Sequence, residues 1–279
     1  MAADAFSICV EKAESFSYTV LSDGTAMITG CTLSGDIVIP AQIDGYTVSC
    51  LDRELFYGIS GITSVTIPAT VTHFGNDPED NGWDYVFSYC YDLENIYVEE
   101  GNPTFQSIDG VLYCRDGQQL VNYPCAHPGE AYHVTADILS CTSFASCRNL
   151  RYLFLDNADT IWYTYTFYNT GNLTVFYEPG GSTAAKAASE IQAGRVYDSD
   201  STYCRLTEST EIRRLPEDLT VIEAEAFRNT DMKYVIVPDG CGSIGAKAFA
   251  ESSLEYIRIP EGADVADDAF GSSVVVERV

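Results

Sequence analysis

Ile222-Glu-Ala-Glu-Ala226-Phe227, Ile244-Gly-Ala-Lys-Ala248-Phe249 and Val265-Ala-Asp-Asp-Ala269-Phe270 are one phrase written three times, at intervals of 22 and 21 residues. The first two are followed by a β-branched run closed by proline, Val235-Ile-Val-Pro238 and Ile257-Arg-Ile-Pro260, each proline 11 residues beyond its phenylalanine; the third run, Val274-Val275-Val276, arrives early. A unit this short cannot bury its own apolar face, so stability has to come from stacking neighbours into a continuous core. The phrase contains no nucleophile, no metal-ligand set and no phosphate cradle.

Aligned on the phenylalanine, the phrase recurs upstream in eroded form. Five residues before Phe56, Phe144 and Phe167 stand Leu51, Leu139 and Trp162, and six after Phe56, Phe87, Phe144 and Phe167 stand Ile62, Leu93, Leu150 and Leu173. Strand pairs follow: Val65 and Ile67, Ile96 and Val98, Leu153 and Leu155, Val175 and Tyr177. A period of two turns these toward the core and leaves Thr66, Tyr97, Phe154, Phe176, Ile236 and Arg258 facing outward.

The chain then divides as follows. Residues 1–45 read as a β-rich N-terminal cap, with Phe16-Ser-Tyr-Thr-Val20, a turn at Ser22-Asp-Gly-Thr25, a return through Ala26-Met-Ile28 and a strand at Asp36-Ile-Val-Ile-Pro40. Residues 46–195 form one repeat block and 196–279 a second. Two insertions interrupt the first block. Asn76 to Asp84 is an acidic, turn-rich loop carrying Trp83, and residues 101–134 read as a hairpin insert turning at Asp116-Gly117 and packed beside the array. Ser182 to Ile191 reads as one alanine-rich helix with a hydroxyl cap.

With these residues in hand, the array resembles the BspA-like leucine-rich repeats of bacterial and protist surface proteins. Their unit is an Ile-Gly-x-x-Ala-Phe corner, a Cys and a Leu, and a strand ending Ile-x-Ile-Pro; Ile244-Gly245-Ala246-Lys247-Ala248-Phe249, Leu254 and Ile257-Arg258-Ile259-Pro260 match it nearly throughout. Ser107-Ile-Asp-Gly-Val-Leu-Tyr113 with Leu120-Val-Asn-Tyr-Pro124 also looks like a unit of such proteins, as does Gly181-Ser182-x-Ala184. Gly82, Ser143 and Thr166 depart from the pattern. The resemblance covers about residues 36–279. It implies a leucine-rich repeat solenoid, a right-handed and β-dominated superhelix with a parallel sheet on one face and irregular turns or short helices on the other, in proteins often exported and tied to adhesion.

Asp and Glu number 41 against 15 Lys and Arg, a formal charge of -26, which repels phosphate backbones and anionic lipid and argues against nucleic acid as a partner. The charge reads first as solvation of a long surface; attraction of basic partners or loosely held calcium is the alternative. No apolar run approaches the roughly 18 residues of a membrane span. Met1-Ala-Ala-Asp lacks the basic start and apolar stretch of a signal peptide.

Ten scattered cysteines form no C-x-x-C motif, and Cys90 and Cys147 share one repeat position, as small buried filler does. Cys114 and Cys125 are placed to pair across the hairpin. Cys114, Cys125, His127 and His133 are the nearest thing to a ligand cluster, but zinc would need them to converge, so no metal, cofactor or catalytic residue is assigned.

The expected function is a non-catalytic extracellular or cell-surface recognition and adhesion module, a monomer binding a protein ligand of host or matrix through the sheet face and inserts. The contact residues expected are Tyr97, Phe154, Phe176 and Trp83, with Tyr152 and Tyr163 to Tyr168 near the edge. An accessory carbohydrate-binding or regulatory domain of an exported enzyme is the rival reading, and an intracellular scaffold a third.

Overall fold

A computed structural model describes residues 15–75, 85–163, 165–192 and 204–279. The chain is a β-solenoid of mostly parallel strands, and it divides into two compact units, Met1–Leu206 and Thr207–Val279.

The second unit shows the repeat at its most regular. Arg213–Arg214, Tyr234–Ile236, Tyr256–Ile259 and Val275–Arg278 form one parallel sheet. Val221–Ile222, Ser243–Ile244 and Asp264–Val265, the residues that open each phrase, form a second and narrower parallel ladder. The face opposite the main sheet therefore carries strand pairing of its own, in addition to the turns the resemblance implies. Val235, Val237, Ile257 and Ile259 point into one core with Ile222, Ile244 and the phenylalanines. Phe227 and Phe249 stack at 5.0 Å, and Phe249 meets Phe270 at 5.8 Å. Gly245 is there because the neighbouring turn is close: a Cβ would sit 2.5 Å from the Ala224 amide nitrogen.

The first unit begins with Phe16–Val20 antiparallel to Ala26–Cys31, which pairs in parallel with Tyr46–Leu51 and so presents a sheet to the first repeat. Gly35–Val38, Ile62–Ile67 and Asn95–Val98 form one parallel sheet; Ala131–Val134, Tyr152–Leu155 and Thr174–Tyr177 belong to another. The outward residues pair as the period of two requires, Thr66 with Tyr97, Phe154 with Phe176 and, in the second unit, Ile236 with Arg258.

The hairpin insert turns between Val111–Cys114 and Gln119–Asn122, as the Asp116-Gly117 pair dictates. It is not packed beside the array but between two cores. Leu112 and Val121 face the core of the earlier turns, while Val111, Tyr113 and Leu120 face that of the later ones. Phe105 stacks on Phe74 at 4.7 Å, and Tyr123 stacks on Phe144 at 5.1 Å, so the insert supplies rings on both sides. Cys114 and Cys125 do not pair. Cys125 follows the hairpin into the next corner, where its thiol reaches the Ala145 carbonyl at 3.5 Å, and Cys114 lies against Gln119.

The helix is found at Gly181–Gln192. Its cap comes from another turn: Asp159 Oδ1 accepts from the Ser182 amide at 2.9 Å and from its hydroxyl at 3.1 Å. Gly181 takes a φ of 65° against the Ala158 carbonyl, which a side chain would strike.

The stacked rings carry a direct expectation. Phe249→Ala removes the middle ring of Phe227, Phe249 and Phe270 and should lower stability by about 3–5 kcal/mol in chemical denaturation. An exposed control, Glu261→Ala, should stay within about 0.5 kcal/mol of the parent; equal midpoints for the two variants would deny the stack its role.

Candidate functional site

The corners decide which side chains reach the surface. At five of these corners the amide of the ring position donates to the next turn: Phe56 to Val86 at 3.2 Å, Tyr123 to Ser143 at 2.8 Å, Phe144 to Thr166 at 3.0 Å, Phe227 to Ala248 at 2.7 Å and Phe249 to Ala269 at 2.9 Å. The residue two further on repeats this, Gly58 to Ser88, Ser146 to Tyr168 and Asn229 to Ala250. At this position the backbone enters the left-handed region, at Gly58, Tyr89, Ser146, Asn169, Asn229 and Glu251, with φ of 57–68°. Only Gly58 does so free of steric cost; the others hold a conformation worth about 1 kcal/mol of strain each, sustained by the stack.

The position three after the ring holds a small donor that satisfies a corner carbonyl. Thr170, Thr230 and Ser252 bond the carbonyl of their own phenylalanine at 2.5, 2.8 and 2.6 Å. The longer reach of a thiol takes Cys90 to Phe56 of the preceding turn at 2.7 Å, and Cys147 to Tyr123 at 3.9 Å. Burial pushes the Cys90 thiol up to about 12 and Cys125 up to about 11, each with a neighbouring group as a lesser influence. Cys147 is raised well above the usual range for the same reason.

In the first unit the positions around the corner are rich in tyrosine. Tyr57 and Tyr89 meet edge to face at 5.3 Å, Tyr89 and Tyr91 at 6.3 Å, and Tyr165 and Tyr168 at 6.1 Å. Partial burial, then the proximity of Tyr57, Tyr168, Tyr91 and Tyr85, pushes the Tyr89 hydroxyl up to about 12. Tyr57, Tyr89 and Tyr91 thus form one run of rings, and Tyr165 and Tyr168 a pair. Tyr57 is 47% exposed and Tyr165 52%, so flat apolar faces with polar hydroxyl tips are open to solvent. The Arg148 guanidinium lies 4.6 Å over the Tyr91 ring.

The residues expected from sequence are placed differently. Tyr97 is 46% exposed, on the sheet of Gly35–Val38, Ile62–Ile67 and Asn95–Val98. Phe154 and Phe176 are brought together, 5.0 Å apart and stacked, but on another sheet and only 4% and 1% exposed. The expectation that the three rings line up as one open aromatic face is corrected on both counts. His133 stacks on Phe154 at 4.3 Å and bonds Asp156 at 2.9 Å, extending that buried ladder. Trp83 lies outside the described residues. His127 is bonded to Tyr123 and to the Asp109 carbonyl, so the structure does not gather Cys114, Cys125, His127 and His133 into one site. Tyr57, Tyr89, Tyr91 and Arg148 were not singled out from sequence. Their signal was the columns one, two and four residues after each phenylalanine.

A family model described as BspA type leucine rich repeat region matches in 6 copies, over residues 30–110, 133–187 and 199–275. Solved structures similar to the chain include the pneumococcal vaccine antigen PcpA, at 17% identity and a TM-score of 0.39, covering 88% of this chain and 68% of that one. A leucine rich cell surface protein from Faecalibacterium prausnitzii is 18% identical with a TM-score of 0.29, covering 95% and 93%. The leucine rich repeat protein of T. pallidum is 18% identical with a TM-score of 0.31, covering 88% and 84%. No curated protein matches the chain.

The corner thiols yield a test of the geometry. At about pH 8.5, where an ordinary thiol is half ionised, Cys90, Cys125 and Cys147 should resist iodoacetamide in native protein and react fully in urea, as read by peptide mass spectrometry. Rapid native alkylation of Cys147 would mean that the corner opens.

Proposed function

Because the chain belongs to the BspA-type leucine-rich repeat family, a stacked architecture that presents extended contact surfaces, we propose that it is a non-catalytic recognition module for a protein partner at a cell surface. The observation that carries this reading is the tyrosine cluster at the corners of the first unit, Tyr57, Tyr89 and Tyr91 in edge-to-face contact and the pair Tyr165 and Tyr168, with Tyr57 and Tyr165 near half open to solvent. Tyrosine has two side-chain torsions, so a ring already packed edge to face against its neighbours loses little freedom on binding and contributes area with a polar tip. Aromatic anchors of this kind concentrate binding energy in protein interfaces. Tyr97 adds a second exposed ring on the sheet face of the same unit.

The charge supports a partner that is neutral or basic at the contact. At -26 the chain repels acidic surfaces at long range, while burial and neighbouring tyrosines hold the Tyr89 hydroxyl further from ionisation than usual. Adhesion to host or matrix protein, an extracellular location and a monomeric state complete the proposal. The family fits these, and the chain has no helix among the described residues long and apolar enough to cross a membrane.

An array of matrix proteins and glycans, probed with the parent chain and with a Tyr57→Ser, Tyr89→Ser, Tyr165→Ser variant, tests the reading. A protein ligand should be retained by the parent and lost by at least about tenfold in the triple variant, the weight of a few interface anchors. Retention of sugars with no protein ligand would overturn it in favour of an accessory carbohydrate-binding domain, and an unchanged triple variant would place the contact elsewhere.

A further inference from the structure

Beside the tyrosine cluster lies a groove of about 540 Å³, lined by Tyr91, Ser146, Arg148, Asn169, Thr170 and Asn172. That volume falls in the range of about 300–1,000 Å³ typical of small-ligand sites. The groove follows from how the insert re-enters the stack. Its corner is short: the Cys125 carbonyl accepts from the Arg148 amide at 2.9 Å, and the Ala126 amide donates to Leu93 at 2.8 Å. The Phe87 and Phe144 turns are thereby brought across a low step, and Arg148 reaches over it to Tyr91. On the far wall the left-handed residues Ser146 and Asn169 hold each other, the Asn169 amide donating to the Ser146 hydroxyl at 3.0 Å.

We propose that this groove binds a carboxylate-bearing sugar ring, such as a terminal sialic acid or a uronic acid residue. Arg148 is exposed, and among the described residues no carboxylate pairs with it, whereas Arg228 and Lys233 are taken up by Glu251 and Glu255. Its flat face is spent on Tyr91, which leaves the in-plane N–H donors at its edges for the two oxygens of a carboxylate. The Asn172 side chain makes no hydrogen bond to another described residue, and Asn169 keeps its amide oxygen open. Amides and hydroxyls spaced along the wall match a ligand that presents several hydroxyls.

The same lining argues against a peptide. The walls are mostly polar, with the Tyr91 ring and Cys147 as the apolar parts, so there is little apolar recess to take a side chain. A pyranose brings its own C–H face to a tyrosine and its hydroxyls to the amides. The overall charge narrows the choice again: repulsion by the net -26 grows with the ligand's charge, so a polysulfated chain is opposed far more than the one carboxylate at the end of a glycan, which Arg148 meets directly. This site does not rest on the protein partner proposed above, and small sugars test it without one.

The experiment is titration calorimetry of the purified chain with 3′-sialyllactose, with a glucuronic acid disaccharide, with lactose and with an acetylated Gly-Gly-Glu tripeptide. At least one acidic sugar should bind at least about tenfold more tightly than lactose and the tripeptide. Arg148→Gln should lose that preference, as removal of a bidentate charge-assisted contact does, and added salt should weaken it. The Arg148 side chain is exposed and its corner bond is made by the backbone, so the variant should keep the parental melting temperature. Tyr91→Leu, which frees the guanidinium to move, should lose part of the affinity. Absence of binding by both acidic sugars, equal affinity for lactose or the tripeptide, or an Arg148→Gln variant that binds as the parent does would each overturn the assignment.

Discussion

At the corners of Phe56, Phe144 and Phe227, amides at two positions reach the carbonyls of the next turn, and the turn on its own could satisfy neither. A repeat of about 22 residues has no internal partner for those groups, and each would cost on the order of 1–3 kcal/mol if buried unpaired. Stacking answers this cost and the exposed apolar face together. The left-handed residue two beyond the ring, the small donor three beyond it and the stacked phenylalanines are all consequences of keeping that ladder intact. The repeat cysteines belong to the same logic. A thiol at this position does what Thr170, Thr230 and Ser252 do, by a longer reach, and its burial makes it inert.

The insert shows how far such an array bends before it breaks. A hairpin exposes two faces, and a free one would have one of them wet. Here both are apolar: alternate residues of Val111–Cys114 feed cores on either side, and Tyr123 stands in for the missing phenylalanine. The alternation was visible in Val111-Leu-Tyr113 and Leu120-Val121, but a period of two does not say whether the second face meets solvent or another turn. That is why the hairpin and its turn could be read from sequence and its position could not. The narrow second ladder through Ile222, Ile244 and Val265 escaped for a related reason, since two residues are too few for any periodicity.

Of the candidate site, the sequence disclosed the outward direction of Tyr97, Phe154 and Phe176 and nothing about what lies over them. Direction is local and follows from the pleat; exposure depends on segments distant in the chain. Phe154 and Phe176 therefore end as a buried stack with His133, while Tyr97 stays open on a different sheet. The tyrosine cluster was written in columns beside each Phe, yet its members become neighbours only because the turns of Phe56, Phe87 and Phe167 are held in register by the ladder. Tyr91 and Arg148 meet because the insert's corner between them is short, and no spacing rule spans that gap.

On the proposed reading, an acidic chain that recognises through tyrosine separates two roles often carried by the same residues. The carboxylates keep the surface solvated and set which partners approach, at a range limited to about 8–10 Å by physiological salt. The rings act only at contact, where their affinity comes from buried area and is little affected by salt. A left-handed tyrosine at position 89 fits this division: its ring packs edge to face on Tyr57 and Tyr91, so its neighbours aim it and it needs no loop to order it. Weakening the stack below would loosen the contact surface above it. In this fold the surface inherits its rigidity from the same interaction that holds the turns together.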